Sequence, residues 1–389
     1  MSSIPQKAFS LQSIVRPNIW ALKPYRCARD DYSTGILLDA NENTHGPALP
    51  PHESLTNTTS HLNRYPDPHQ SLLKSLLAAY RGLDAASTGF FVGVGSDECL
   101  DLIVRVFCVP GREKILVCPP TYGMYGVVAQ VNDVGVVAVP LDVAGGRFQL
   151  RVDEIAAAVA ADPAIKVIFL CHPGNPTGTL LAHDDIRVVL ELQAFHGIVV
   201  VDEAYIDFCE PGASVASWVA RYPNLVVTQT LSKAFGLAGI RLGAAITTPE
   251  IARVLNSAKA PYNVSTPASA LALSALSAAG LATMRSHVAS ILAQRDALVT
   301  KLGTVQRLGP VIGGNDANFV LVPVLDAQGQ PSNSIAKSVY RAMAEQEGVV
   351  VRFRGEELGC EGCLRVTVGT AEENGVLIEK LRGLLADLA

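Results

Sequence analysis

Lys233 lies in the run Thr230-Leu231-Ser232-Lys233-Ala234-Phe235-Gly236-Leu237-Ala238-Gly239-Ile240-Arg241-Leu242-Gly243, just after an apolar stretch at 225–228. The run brings a hydroxyl, an amine and a guanidinium close together. A lysine on a loop of small residues loses part of its solvation, and burial beside other cations lowers its pKa and frees the neutral amine as a nucleophile. Ser232 and Arg241 suit a phosphate monoester, because a guanidinium is always charged and can meet phosphate oxygens with two parallel donors. An amine fit for a Schiff base beside a phosphate site points to pyridoxal phosphate. A Ser-Lys pair in a Gly-rich loop is more often a solvated turn. The reading therefore depends on whether the rest of the chain supplies the other groups that cofactor needs.

Four further stretches do so, each just after an apolar run. Gly93-Val94-Gly95-Ser96-Asp97-Glu98 follows Phe90-Phe91-Val92 and precedes a helical pattern at 99–108. Glycines at such a turn, with Ser and Asp as caps, expose backbone N–H groups to an anion. The third glycine of a dinucleotide fingerprint would fall at 98, which is Glu, so a nicotinamide enzyme is disfavoured. Tyr122, in Pro119-Pro120-Thr121-Tyr122-Gly123-Met124-Tyr125, can stack on a pyridine ring. Asn175 stands between prolines that fix its backbone, so its amide can be aimed at a ligand oxygen. Asp202 and Tyr205 end the run at 198–201. A carboxylate there needs a partner, and a protonated pyridine nitrogen is one that would hold the ring as an electron sink. Tyr205 would donate to the ring's phenolic oxygen.

The elements that must position these groups are legible as a pattern. Short β-branched runs at 115–118, 136–139, 167–170, 198–201, 226–230 and 244–247 alternate with longer helical stretches. Near-continuous apolar strands of this kind predict a mostly parallel sheet between helices, with ligands at the strands' carboxyl ends. A helix is predicted over 71–80, with leucines 72, 73, 76 and 77 on one face. A helical region follows at 267–302, then strands at 319–324, 349–351 and 364–368 with helices at 334–346 and 372–388. The fold class is α/β, with residues 46–285 as a large cofactor-binding domain and residues 1–45 with 286–389 as a smaller α/β domain.

The chain has 389 residues and a formal net charge of -5, with basic and acidic residues interspersed. That balance gives no electrostatic footprint for nucleic acid or an anionic membrane. No uninterrupted apolar segment reaches the ~18 residues of a membrane span, and the first residues lack a secretory pattern, so the protein is read as cytoplasmic. Of eight cysteines, only Cys360 and Cys363 form a C-x-x-C, and one such pair is weak grounds for zinc. The expectation is reduced thiols and no metal. The His-bearing stretch at 45–69 suggests no role.

With these residues in hand, the chain resembles the fold-type I pyridoxal-phosphate aminotransferases, and within them the histidinol-phosphate aminotransferase subfamily, over nearly its whole length. The match is carried by Leu22-Lys23-Pro24-Tyr25, Asp39-Ala40-Asn41-Glu42-Asn43, Asn63-Arg64-Tyr65-Pro66, Gly95-Ser96-Asp97-Glu98 and Pro119 to Tyr125. It continues in Asn175-Pro176-Thr177-Gly178, Asp202-Glu203-Ala204-Tyr205, Ser232-Lys233-Ala234-Phe235-Gly236, Gly239-Ile240-Arg241-Leu242-Gly243 and Leu364-Arg365-Val366-Thr367-Val368-Gly369. Position 174 is Gly where many relatives carry Asn.

The resemblance implies that Lys233 is the Schiff-base lysine, Asp202 pairs with the pyridine nitrogen, and Asn175 and Tyr205 bind the 3′-oxygen. It implies that Tyr122 stacks on the ring and that Ser96, Asp97, Glu98, Ser232 and Arg241 form the phosphate side. Tyr65 would reach the neighbouring subunit's cofactor, making the protein a homodimer with shared active sites. Tyr25, Asn41, Arg352 and Arg365 would bind substrate, the arginines gripping either a dicarboxylate or a phosphate. The implied reaction is transamination of histidinol phosphate with 2-oxoglutarate, within histidine biosynthesis. The alternatives are an aromatic or broad-range aminotransferase, a phosphothreonine-type decarboxylase, or a catalytically silent binding protein on the same fold.

Overall fold

Seven apolar runs pair into one sheet in the computed structural model, which describes residues 21, 28, 31, 32, 34–49 and 62–386. In chain order the strands are β1 (Ile36–Leu37), β2 (Gly89–Val94), β3 (Lys114–Val117), β4 (Gly135–Ala138), β5 (Ile165–Cys171) and β6 (Ile198–Asp202). They continue with β7 (Leu225–Thr230), β8 (Leu242–Thr247), β9 (Phe319–Pro323), β10 (Val349–Val350), β11 (Arg352–Phe353) and β12 (Cys363–Thr367). The α-helices are α1 (Ser71–Arg81), α2 (Gly95–Phe107), α3 (Met124–Val131), α4 (Val152–Ala161) and α5 (His183–Leu190), then α6 (Pro249–Ala258), α7 (Thr266–Ala275), α8 (Ala278–Leu302), α9 (Asn333–Glu345) and α10 (Ala371–Ala386).

The large sheet runs β2-β8-β7-β6-β5-β3-β4. The β7-β6-β5-β3-β4 part is parallel, whereas β8 runs antiparallel to both β2 and β7. Its central strands are buried on both faces, which is why they read as unbroken apolar runs rather than alternating ones. The reversal of β8 has a consequence for the site. Because Val94 pairs with Leu242, the start of β8 meets the end of β2, and Arg241 arrives on the same sheet edge as Gly95.

Register does similar work in the parallel strands. Cys171 pairs with Asp202 and Asp202 with Thr228, so the carboxyl ends of β5, β6 and β7 lie side by side. A smaller antiparallel sheet has the order β11-β12-β9, and β1 pairs in parallel with β10 through Ile36 and Val349. The segment before residue 40 thus hydrogen-bonds with the C-terminal part of the chain. Residue 285 falls within the continuous helix α8.

Two local expectations change. In α1, Leu73 and Leu77 are buried while Leu72 is exposed, since a 100° step per residue leaves it at the edge of the apolar stripe. Helix α2 begins at Gly95 rather than near 99, so Ser96 and Asp97 are not caps but residues of the first turn, and no side chain caps it. Among the described residues no single helix is long and apolar enough to cross a membrane. Cys360 and Cys363 are buried free thiols, and burial pushes Cys363 up to about 12.

Candidate active site

A cavity of 260 Å³ opens at the carboxyl edge of the large sheet and reaches the smaller one. Lys233 sits in it, after β7, with its Nζ donating to the Ala40 carbonyl at 3.0 Å. Desolvation pushes the amine down to about 8, and the nearby Arg365 guanidinium adds to the shift. Half of such amines are neutral near pH 8, so the group can act as a nucleophile and as a base close to neutrality.

Asp202 ends β6 fully enclosed. Tyr125 donates to its Oδ2 at 2.8 Å and Thr228 to its Oδ1 at 2.9 Å. Burial pushes the carboxyl up to about 6, against those two hydrogen bonds. A backbone hydrogen bond at Ala204 adds to these, and all three donors are neutral, so among the described residues the buried carboxylate meets no cation, an arrangement that costs free energy until a cationic partner arrives. Tyr205 lies beside it, its hydroxyl pushed up to about 12 by burial and accepting from Asn41 Nδ2 at 3.0 Å and from Asn175 Nδ2 at 3.5 Å.

The anion cradle is built from backbone. Gly95 has φ 74° and its N–H donates to the Arg241 carbonyl at 3.0 Å. A Cβ on Gly243 would lie 2.3 Å from the Ser96 nitrogen, so the first turn of α2 can approach β8 only over a glycine. Arg241, itself in the left-handed region at φ 51°, donates from Nη1 to Ser232 Oγ at 3.4 Å and pairs through Nη2 with Asp97 at 3.2 Å. Thr230 Oγ1 in turn donates to Ser232 Oγ at 2.9 Å. Free N–H groups at the start of a 13-residue helix, a hydroxyl and a guanidinium form a site for a phosphate. Gly243→Ala should push the Ser96 amide out of this cradle, costing about 1–3 kcal/mol in packing. Thermal unfolding with and without pyridoxal phosphate measures it, and unchanged melting and cofactor retention would refute the cradle.

The second sheet brings the remaining cations. Arg352 and Arg365 are directly opposed across the β11–β12 ladder, so they share one face. Arg365 is buried, donates from Nη1 to Asn175 Oδ1 at 2.7 Å and from Nη2 to the Asp39 carbonyl at 2.6 Å, and its Nε has no partner among the described residues. Desolvation and two further arginines, Arg354 and Arg352, push it down to about 10. Asn41 is held at φ 53° by Thr367, whose Oγ1 accepts from its N–H at 3.0 Å, and by Asn318, which donates to its carbonyl at 3.0 Å.

The cavity therefore collects Ser96, Asp97, Tyr122, Asn175, Asp202 and Tyr205 from the large sheet's edge. Ser232, Lys233, Arg241, Asn41, Arg352 and Arg365 also line it. The Glu98 side chain does not face the cavity. Its carboxylate points back into its own turn, accepting from the Val94 N–H and from Asn263 Nδ2, and it does not line the cavity. Tyr65 does not reach its own chain's cavity; it is 81% exposed and stacks on Tyr262 with ring centroids 4.5 Å apart. Tyr25 lies outside the described residues.

Sequence reasoning missed Tyr125, Thr228, Thr230 and Arg354. Tyr125 has a readable signal, since it stands three residues from Tyr122 at the start of a helix. Thr228 has only its polarity within an apolar strand, because its register with Asp202 is a tertiary fact.

A profile of the aminotransferase class I and II family matches residues 33–381. The chain belongs to that family. This aminotransferase is 50% identical to the histidinol-phosphate aminotransferase of Candida maltosa over 98% of its own length and 99% of that protein's. It is 49% identical to that of Schizosaccharomyces pombe, over 97% and 98%. Its fold also matches the Sinorhizobium meliloti histidinol-phosphate aminotransferase solved in complex with pyridoxal 5′-phosphate, with a TM-score of 0.82 at 24% identity, over 98% and 99% of the two chains. The family implies pyridoxal phosphate, and the donor set fits it: a buried carboxylate lacking a cation, a phosphate cradle closed by glycine, and a lysine amine of lowered basicity between them.

Proposed function

We propose that this aminotransferase converts L-histidinol phosphate and 2-oxoglutarate to imidazole-acetol phosphate and glutamate. The observation that carries the reading is one cavity lined both by Lys233, Asp202 and Arg241 and by the arginines of β11 and β12. Half identity to the Candida maltosa enzyme over nearly the full length of both chains supports the choice of amino donor.

Pyridoxal phosphate, when bound, supplies an aldehyde that condenses with amines and a protonated ring that accepts an electron pair. In our reading Ser96 and Asp97 through their backbone, with Ser232 and Arg241, hold its phosphate. Asp202 holds the ring nitrogen in its protonated state, with Tyr125 and Thr228 fixing the carboxylate's orientation. Asn175 and Tyr205 hold the 3′-oxygen, and Tyr122 covers the ring face. Lys233 would hold the cofactor through its amine, and the same amine, when free, would act as the base at the substrate carbon's proton. Arg365 and Arg352 orient the anionic tail of either substrate, which is how one site serves two half-reactions. In the same reading residues 46–285 form one domain and residues 1–45 with 286–389 the other. It also includes a homodimer, in which Tyr65 would enter the neighbouring copy's site.

Absorbance of the purified protein tests the reading. Histidinol phosphate should bleach the cofactor band near the visible edge, and 2-oxoglutarate should restore it. Bleaching by phenylalanine in preference would favour an aromatic aminotransferase, and carbon dioxide release without a keto acid would favour a decarboxylase.

A further inference from the structure

Side chains on β11 alternate, so Arg352 and Arg354 take one face while Phe353 takes the other, where Lys337 Nζ lies 5.1 Å from its ring centroid. The Arg354 N–H continues the ladder by donating to the Cys363 carbonyl at 2.8 Å, and its side chain lines the cavity with Arg352 and Arg365. Its guanidinium is only partly committed. Nη1 donates to Glu357 Oε1 at 2.9 Å, three residues on, whereas Nε is buried without a partner among the described residues. Arg365 Nε in the same cavity is orphaned likewise.

A buried donor left unsatisfied is costly, and more so when charged, so two orphaned guanidinium N–H groups in one cavity call for an acceptor with several oxygens. A phosphate monoester has three terminal oxygens and a charge near -2 at neutral pH, against two oxygens and a single charge for a carboxylate. Glu357 neutralises Arg354 locally, and burial already disfavours its carboxylate form. A monoanion therefore gains little by competing with Glu357, whereas a dianion gains roughly twice the Coulomb attraction at the same distance.

We propose that Arg354 is the residue that makes this end of the site prefer a phosphate monoester to a carboxylate, its guanidinium turning from Glu357 to the substrate's dianion. The proposal rests on the reading of the substrate given above and adds a determinant to it. It explains how one set of arginines can serve two anions of different charge without binding one of them too tightly to release.

The test uses the holoenzyme carrying Arg354→Gln or Glu357→Gln, with two readouts. One is the Kd of inorganic phosphate by calorimetry; the other is the ratio of kcat/KM for histidinol phosphate to that for 2-oxoglutarate. Arg354→Gln should raise the phosphate Kd and lower the ratio by about tenfold each. Glu357→Gln should move the phosphate Kd the opposite way, because it releases the guanidinium. Arg354→Lys, which keeps the charge but not the fork, should fall between. If the pair is only a brace for the loop, both neutral substitutions will weaken phosphate alike, and the proposal fails. It fails equally if Arg354→Gln leaves both readouts within about twofold. If the unsubstituted enzyme does not turn over histidinol phosphate, the substrate reading is wrong, and the phosphate Kd still decides the role of Arg354.

Discussion

Lys233→Ala should abolish transamination, lowering kcat by at least about 10⁴-fold, while the protein folds and melts much as before. The size follows from removing two functions at once. The amine is both the nucleophile toward the cofactor aldehyde and the base that moves the substrate proton, and each function alone is worth about 10²–10⁴-fold. The fold should tolerate the change because the Lys233 side chain makes one hydrogen bond among the described residues, to the Ala40 carbonyl, and its desolvated amine is disfavoured in the folded state. Borohydride reduction with pyridoxal phosphate should add the cofactor's mass to the unsubstituted chain and not to the variant. Because the amine titrates near 8, capture of the cofactor by the apoprotein should accelerate as pH rises through that value and level off above it. Appreciable turnover by Lys233→Ala would remove the central assignment, whatever the substrate.

Asp202→Asn should cost about 10²–10³-fold in kcat, by analogy with the loss of one preorganised electrostatic group in a dry site. It should also stabilise the apoprotein. Burial pushes Asp202 from its ordinary 3.8 up to about 6, so the folded state binds its proton more tightly than the unfolded state does. Stability from this group is therefore full below pH ~4 and is lost as pH rises through about 6, a penalty on the order of 3 kcal/mol at neutrality. Asparagine carries no such penalty. Its melting temperature should exceed that of the unsubstituted apoprotein at pH 7 and converge with it toward pH 4. Loss of activity together with gain in apo stability is the signature of a residue kept for a cationic ligand rather than for the fold. A variant that is both less active and less stable at pH 7 would mark Asp202 as structural.

Much of the site is legible from the chain because strands buried on both faces impose their own punctuation. Where a run such as 198–201 is wholly apolar, the first polar residue after it must lie at the sheet's edge, and Asp202 is legible that way. The direction of the Glu98 side chain is not legible for a related reason. Inside the first turn of α2 a side chain has two options, the cavity or its own turn, and the Val94 N–H with Asn263 draws Glu98 to the second. Arg354, two residues from Arg352, is not legible as its neighbour in the site because the strand is only two residues long and shows no period.

By itself, then, the sequence determined the alternation of strands and helices, the lysine and its phosphate-binding neighbours, and which strand ends carry polar groups. These are local properties, set by periodicity and by the cost of burying a polar side chain. Tertiary structure alone decided that Thr228 and Tyr125 meet on Asp202, that the antiparallel β8 delivers Arg241 to Gly95, and that Arg352 opposes Arg365 across a two-strand ladder. Register between strands distant in the chain is fixed by the packing of whole faces, and no single stretch of sequence contains it.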